Sequence, residues 1–389
     1  MTSADPIQCD IAIAGGGLAG CLIALMLAEK RPELDVRVIE GSGSFGGNHL
    51  WSFFDSDIAA QDRWLVEPLI CHRWVGYDIA FPALSRTLDA VYNTIESERL
   101  DALVRSVLRP DQIIAGKVDA LTPGSITLKD GRTVSAAKVI DARGPGDLAT
   151  LEVGWQKFVG QTLKVKGGHG LTRPIVMDAS VEQIDGYRFV YCLPFDAETV
   201  FVEDTYYSDS PDLNVEAVRA RIAGYAAAKG WTVTPSNQRE ETGVLPVVIG
   251  GDFESYWNST GTGLAKAGLR TGMFHATTGY SLPDAVRLAS RMPELVDLPQ
   301  AQFADAVQAT ARTHWSQRGF YRMLDTMLFH GADPPLRYKM LERFYRLSPD
   351  LIRRFYAGQT TLFDKIRVLS GKPPISVLRA VHVLLGGRP

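Results

Sequence analysis

Residues 201–209, FVEDTYYSD, set Glu203 and Asp204 side by side among Phe, Val, Thr and Tyr. The surrounding stretch, GYRFVYCLPFDAETVFVEDTYY from 186 to 207, reads as two alternating strands joined by a turn near Phe195 to Glu198. Period two puts Thr199, Phe201, Glu203, Thr205 and Tyr207 on one face of the second strand, and Val200, Val202, Asp204 and Tyr206 on the other. The two carboxylates then point in opposite directions, an assignment that a bulge would reverse. If the Phe201 face lines a cavity, desolvation disfavours the charged form of Glu203 and raises its pKa, by up to roughly 3 to 5 units for complete burial. An acid of that kind stays protonated near neutrality and can donate a proton. Asp204 is expected to orient the strand through hydrogen bonds. Glu241, in EETGVLP beside the next apolar strand, is a second carboxylate that could receive a departing proton, or equally a solvated acid at a strand start.

A second constellation lies at the front of the chain. Gly15-x-Gly17-x-x-Gly20 follows the strand-like CDIAIA and leads, from Leu18, into the helix-like CLIALMLAEK; a further strand, DVRVIE, ends at Glu40. The first glycine allows a tight turn, the second lets backbone approach a pyrophosphate, and the third packs helix on strand. Glu40 can accept from ribose hydroxyls. After Glu40 comes GSGSFGGNHLWSFF, a Gly-rich loop containing Gly47 and His49, where a nicotinamide dehydrogenase would have its next helix. A later strand, SAAKVIDARG, ends at Asp141 to Gly144; alone it reads equally as a strand followed by a turn. A third segment, GLRTGMFHATTGYSLPDAVRLASRM, carries Gly272, His275, Thr278, Gly279 and Tyr280 into a helix starting near Ser281 to Asp284. The free amides of that helix could face the pyrimidine side of a flavin. The order of the three pieces favours FAD, and the histidines are expected to shape loops.

Composition narrows the field. The 389 residues are 46% hydrophobic and 22% charged, as in ordinary globular chains, with a formal net charge of -3 that gives no reason to expect nucleic acid. The charge is uneven: residues 312–389 hold 14 Lys+Arg against 5 Asp+Glu, leaving an acidic body before a basic tail. Four scattered cysteines and seven histidines show no metal-ligand spacing, so no metal is expected, and the cysteine usage suits a reducing compartment. Residues 11–28 lack charge, but their four glycines argue against a membrane span. The N-terminus shows no export signal, and a cytoplasmic location is expected.

Taken together, FVEDT, GGNHLWSFF, GYRFVYCLP, EETGVLP, GLRTGMFHATTGYSLP, RFYRL and LSGKPP resemble the bacterial flavin-dependent lycopene beta-cyclases along nearly the whole chain. Val202 stands where that family has Leu or Ile, and Ala276 where it has Pro, a change expected to loosen the flavin loop slightly. The resemblance implies a redox-neutral isomerisation. A terminal double bond of linear lycopene is protonated, a neighbouring double bond attacks the cation, and loss of a ring proton leaves a beta-ionone ring. It implies FAD active in its reduced form, NADPH or NADH as reductant, and Glu203 as the acid or its immediate proton source. Tyr187, Phe189, Tyr191, Phe201, Thr205 and Tyr207 are expected to face the substrate.

The expected fold is α/β, with a Rossmann-like FAD-binding unit of three parts (1–80, 96–150 and 245–300), of the flavoprotein hydroxylase type. An antiparallel β-sheet substrate unit (81–95 and 151–244) is inserted, and a helical region (301–389) follows. There FYR at 320–322 and 344–346 and RRFY at 353–356 interleave Arg with aromatic residues, which suits peripheral docking on a membrane; alternatively the aromatics pack over the cavity. An FAD monooxygenase or reductase acting on an isoprenoid, and a carotenoid-binding protein without catalysis, remain the alternatives.

Overall fold

The structure, a computed structural model, describes residues 6–235, 239–371 and 377–386. Two sheets organise it. In the first, the strands Ile113–Ala115, Val36–Glu40, Ile7–Ala14 and Thr133–Asp141 lie parallel in that order, followed antiparallel by Ser125–Leu128 and Val118–Thr122. A short parallel strand, Ala265–Lys266, joins beside Thr133–Asp141. This is the α/β unit expected. The uncharged run 11–28 divides into strand, glycine turn and the helix Leu18–Lys30, in which Leu18 to Leu27 are all buried. A helix apolar on every side is a core helix here: it packs against Leu282–Leu295 and Ser97–Val107. Among the described residues no helix is long and apolar enough to cross a membrane.

Among the described residues the second sheet has nine strands, with Val233–Thr234, Leu151–Val165, Thr199–Ser208, Tyr187–Pro194, Ile175–Asp178, Ile70–Phe81, Leu84–Glu96 and Leu50–Phe54 in order. Glu240–Gly251 pairs antiparallel with the first part of the long strand Leu151–Val165. The turn between Tyr187–Pro194 and Thr199–Ser208 falls at 195–198, as expected. The ladders run across the sequence boundaries, however. Leu50–Phe54 and Ile70–Phe81, placed by sequence with the cofactor unit, pair with Leu84–Glu96 in this second sheet, and Glu240–Gly251 continues through the boundary at 244 and 245. Alternation identifies a strand but not the sheet it joins.

One face of the second sheet is covered by the helix Val215–Ala228, whose Val218 and Ile222 pack on Val159, Val190 and Val202. The other face meets the loop at Ala276 and Tyr280 and the C-terminal helices Gly319–Thr326, Tyr338–Phe344 and Pro349–Tyr356, while Gln300–Gln317 packs its Phe303, Val307 and Ala311 in the core of the first unit. The expectation of Arg and aromatic residues interleaved on a membrane surface is corrected there. Tyr321, Phe344, Tyr345, Phe355 and Tyr356 are all buried in the core, because each short helix turns its ring-bearing face inward. Arg322 and Arg346 donate to the carbonyls of Trp315 and Ala83, and Arg354 pairs with Asp364.

Candidate active site

The glycine turn shows why its glycines are needed. Gly15 has φ +108°, and a Cβ there would stand 2.9 Å from the backbone of Ala142; at Gly20 a Cβ would lie 2.2 Å from the Gly15 carbonyl oxygen. At Gly17, the N-cap of Leu18–Lys30, a Cβ would meet nothing within 4 Å. The space beyond Gly17 is the end of a cavity of about 490 Å³. No side chain caps this helix and no acid sits in its first turn, so free amides and the positive dipole end remain available to an anion. Glu40 lines the same space. Its Oε2 accepts from Gly16 N at 2.9 Å and its Oε1 from Ser42 N at 2.6 Å, which fixes the carboxylate while leaving lone pairs for hydroxyls.

Gly47, His49 and Gly144 also line the cavity, as do Thr278, Gly279 and Tyr280, which lead into the helix Leu282–Leu295. That helix too has no side-chain cap, and its first-turn Asp284 is buried against His314 and Arg318. The loop before it is closed by His275 N donating to Tyr280 O and Gly279 N donating to His275 O, both at 2.9 Å, with Ala276 buried between. His275 Nδ1 accepts from Thr278 N, so Nε2–H donates to Phe355 O at 3.0 Å. Burial pushes this imidazole down to about 3 and keeps it neutral. It shapes the loop and does not line the cavity. Nor do Asp141, Gly15, Gly20 and Gly272. Asp141 is fully buried, bound by Arg143 and Arg270, and Gly272 ends the turn Gly268–Thr271 with φ +71°. These residues hold the walls of the cofactor end rather than its surface.

At the other end the second sheet supplies the chemistry. Thr199–Ser208 pairs residue for residue with both neighbours and no bulge interrupts it. Period two therefore holds: Glu203 faces the cavity and Asp204 the opposite side, where it binds Arg188 through three contacts of 2.6 to 3.1 Å and Arg221 at 3.2 Å. Across the sheet one row runs Tyr191, Glu203, Gly160, Glu241. The two carboxylates thus share a face with only a glycine between them. Gly160 cannot carry a side chain, since a Cβ would stand 2.2 Å from the Phe201 ring; one row away a Cβ at Gly243 would stand 2.3 Å from the ring of Phe158. Each ring lies across a neighbouring strand, and that of Phe201 lies over the glycine between the two acids.

Burial, and then the charge of Glu241, push the Glu203 carboxyl up to about 8; the Thr205 hydroxyl, donating to Oε1 at 2.5 Å, works against them. Glu241 is buried and held by His49 Nδ1 at 2.8 Å and Leu50 N at 3.0 Å, and His49 is half exposed. Among the residues lining the cavity none is Lys or Arg, while Glu40, Glu203 and Glu241 are acids. Aromatic side chains complete this end: Trp51, Tyr92, Phe158, Tyr191 and Phe201, with Tyr92 and Tyr280 joined by their hydroxyls at 2.9 Å. The site can hold a neutral acid against an apolar, electron-rich surface that favours a cation.

Of the expected substrate-facing residues, Tyr191 and Phe201 line the cavity, and Thr205 lies beneath Glu203. Tyr187, Phe189 and Tyr207 share the face but fall outside the lining, packed with C-terminal elements; the Tyr207 ring lies tilted against that of Phe329, and its hydroxyl donates to Thr277 O at 2.9 Å. Sequence reasoning missed Trp51, Tyr92, Phe158 and the pair Gly160 and Gly243. Glycines inside strand patterns were the available signal, because they mark close approach of a ring or ligand.

The family model described as lycopene cyclase protein matches residues 10–382. The lycopene beta-cyclase of Pantoea ananas is 41% identical over 377 residues, covering 97% of this chain and 98% of its own. That of Paracoccus sp. (strain N81106 / MBIC 01143) is 39% identical over 382 residues, covering 96% and 97%. Among solved structures, a geranylgeranyl bacteriochlorophyll reductase-like protein from Thermoplasma acidophilum superposes with TM-score 0.61 at 14% identity, over 97% of this chain and 99% of its own. A flavin-dependent brominase does so with TM-score 0.60 at 14% identity, over 90% and 94%. At that identity the likeness is one of fold.

Proposed function

The chain belongs to the lycopene cyclase family, and from that premise we infer that it is a lycopene beta-cyclase closing the linear ends of lycopene to beta-ionone rings. The observation that carries the reading is Glu203: a carboxylic acid pushed up to about 8, on an aromatic wall, in the same cavity as a dinucleotide turn. A hydrocarbon offers no polar handle, so recognition rests on apolar and aromatic contact and activation on one acid. Glu203 gives its proton to the terminal double bond. The next double bond closes on the cation, and a ring proton leaves, so proton count and oxidation state are unchanged. Glu241 stands two strand spacings away, roughly 10 Å at the backbone, on the same face. Its bond to half-exposed His49 supports a role in receiving the departing proton and passing it to solvent. Aromatic rings around the acid favour the cation by roughly 0.5 to 2 kcal/mol each.

The cofactor end fits FAD. The open space at Gly17 and the uncapped helix suit its pyrophosphate, Glu40 its ribose, and the amides before Leu282 its ring system. Bound and reduced by NADPH or NADH, the flavin would supply negative charge close to the developing cation. Docking on a membrane is proposed for the last two helices, where Leu362, Phe363, Leu378 and Leu385 are all at least 74% exposed beside Lys365, Arg367 and Arg379. The likeness in fold to reductases and halogenases keeps an oxidoreductase as the second reading. Anaerobic incubation of the protein with lycopene, FAD and NADPH, with products resolved by chromatography and nicotinamide followed by absorbance, tests the first. Ring closure without nicotinamide loss beyond the initial reduction of FAD is expected; nicotinamide oxidised one for one with product would establish the second.

A further inference from the structure

Outside the catalytic cavity an apolar space of about 290 Å³ lies among the C-terminal helices. Its walls come from Leu324, Leu328, Met340, Leu341, Phe344 and Leu347. Its rim is made by the last two helices, where Leu369, Val381 and Leu384 are 49%, 49% and 44% exposed. Against this lining stand two polar side chains, Asp325 and Thr277. Asp325, on the helix Gly319–Thr326, is fully buried, and beyond the neighbouring Thr277 hydroxyl its carboxyl oxygens find no hydrogen-bond partner among the described residues; nor does Thr277 Oγ1 find one beyond that carboxyl. The hydroxyl of Thr277 holds the carboxyl down somewhat, and Arg322 does so more weakly, but burial outweighs both and favours the protonated form of Asp325. Arg322 itself is turned to Trp315, over whose ring it stacks at 4.1 Å. Arg343, the cation at the rim, is engaged by Val368 O and Ser370 O.

Buried polar atoms without partners are rare and call for a ligand or water. A protonated carboxyl donates one hydrogen bond and accepts others, and a threonine hydroxyl does both. Together at the wall of an apolar space they complement a single oxygen at the end of a hydrocarbon chain. An ion does not suit: no cation lines the inner wall to hold an anion, and a neutral acid is a poor partner for a metal.

We propose that this cavity is a second ligand site, which takes an elongated apolar chain carrying one terminal hydroxyl, bound with its oxygen at Asp325 and Thr277. The chain reaches the site through the exposed apolar rim, the surface at which molecules dissolved in a bilayer are met. The site is separate from the catalytic cavity, but the loop 275–280 borders both. Thr277 faces the C-terminal cavity while Thr278, Gly279 and Tyr280 line the catalytic one. Tyr207, from the strand of Glu203, donates to the Thr277 carbonyl. Occupancy is therefore placed to bear on the loop before the helix Leu282–Leu295. The inference does not depend on the reaction assigned to Glu203.

Displacement of the apolar dye 8-anilinonaphthalene-1-sulfonate from full-length, FAD-loaded protein tests it without turnover. The competitors are geranylgeraniol and oleyl alcohol, each paired with the hydrocarbon of the same skeleton lacking the hydroxyl; the two alcohols separate an isoprenoid source from an acyl one. Both alcohols, or one of them, should displace dye at about tenfold lower concentration than the matched hydrocarbon. Asp325→Leu should abolish that preference and leave hydrocarbon displacement, Asp325→Asn should retain part of it, and Leu341→Trp should remove displacement by filling the space. Equal displacement by alcohol and hydrocarbon, an undiminished preference in Asp325→Leu, or full displacement from folded Leu341→Trp would each overturn the proposal. So would a gain in stability of Asp325→Leu with unchanged binding, the result expected if water alone satisfies the pair.

Discussion

Replacing Glu203 by Gln should make the protein more stable and less active at once. The amide keeps the side chain's shape and an acceptor for the Thr205 hydroxyl, but it has no proton to titrate. In the native protein burial and Glu241 raise the carboxyl from 4.5 to about 8. The unfolded chain gives up this proton as pH passes the ordinary value, whereas the native protein keeps it to about 8. In that window the unfolded state binds fewer protons, so rising pH lowers stability, with the loss complete above the native pKa. A rise of about 3.5 units at ~1.36 kcal/mol each sets a ceiling of about 5 kcal/mol. Glu203 faces a cavity that water enters when no substrate is bound, and screening there reduces the expected figure to about 1–3 kcal/mol.

Urea titrations of wild type and Glu203→Gln, at equal FAD concentration, should give nearly equal stability at pH 4.5 and a variant more stable by about 1–3 kcal/mol at pH 8. Single-turnover cyclisation by the variant should fall at least about 10²-fold, the lower end of general-acid contributions. Wild-type cyclisation should itself decline as pH rises through about 8, as Glu203 loses its proton. A stability difference that does not change with pH would show that Glu203 titrates normally. Near-normal cyclisation by Glu203→Gln, with loss in Asp204→Asn, would transfer the acid role to Asp204.

Other perturbations separate the cofactor end, the strand's reverse face and the membrane surface. Gly17→Val should fold normally, because nothing lies within 4 Å of the new Cβ, yet purify without flavin absorbance; Gly20→Val, 2.2 Å from the Gly15 carbonyl oxygen, should fail to fold. Asp204→Asn leaves Arg188 and Arg221 without their anion and should destabilise the protein by about 3–5 kcal/mol in urea titration, with cyclisation per folded molecule reduced far less than in Glu203→Gln. Leu362→Ser with Phe363→Ser, which removes two side chains 75% and 74% exposed, should release the protein from anionic vesicles in sedimentation without changing its urea midpoint. Raised salt should weaken wild-type binding to the same vesicles.

What could be read from the chain was whatever depends on neighbours in sequence. The glycine turn and the phase of Glu203 against Asp204 are local: φ at Gly15 and alternation along ten residues decide them, and the unbroken register of Thr199–Ser208 preserves the result. The meeting of Glu203 with Glu241 is not local. It depends on which residues of Leu151–Val165 each strand faces, and a shift of one residue would have turned either carboxylate to the other side. Tyr187, Phe189 and Tyr207 have the right face, but an element more than a hundred residues later covers them, so alternation alone overcounts the cavity wall. Asp141 lies behind the cavity wall for a similar reason, since Arg270, which binds its second oxygen, arrives from the segment after Gly268. Gly160 and Gly243 carry the part of the design that local patterns could have revealed. A strand spends glycine where a side chain would destroy something, and here Phe201 and Phe158 each fill the space above one of them. The rings beside Glu203 are seated by those glycines, and that of Phe201 lies over the gap between the two acids. The apolar surroundings that raise the pKa of the acid thus originate in part in residues that contribute no functional group at all.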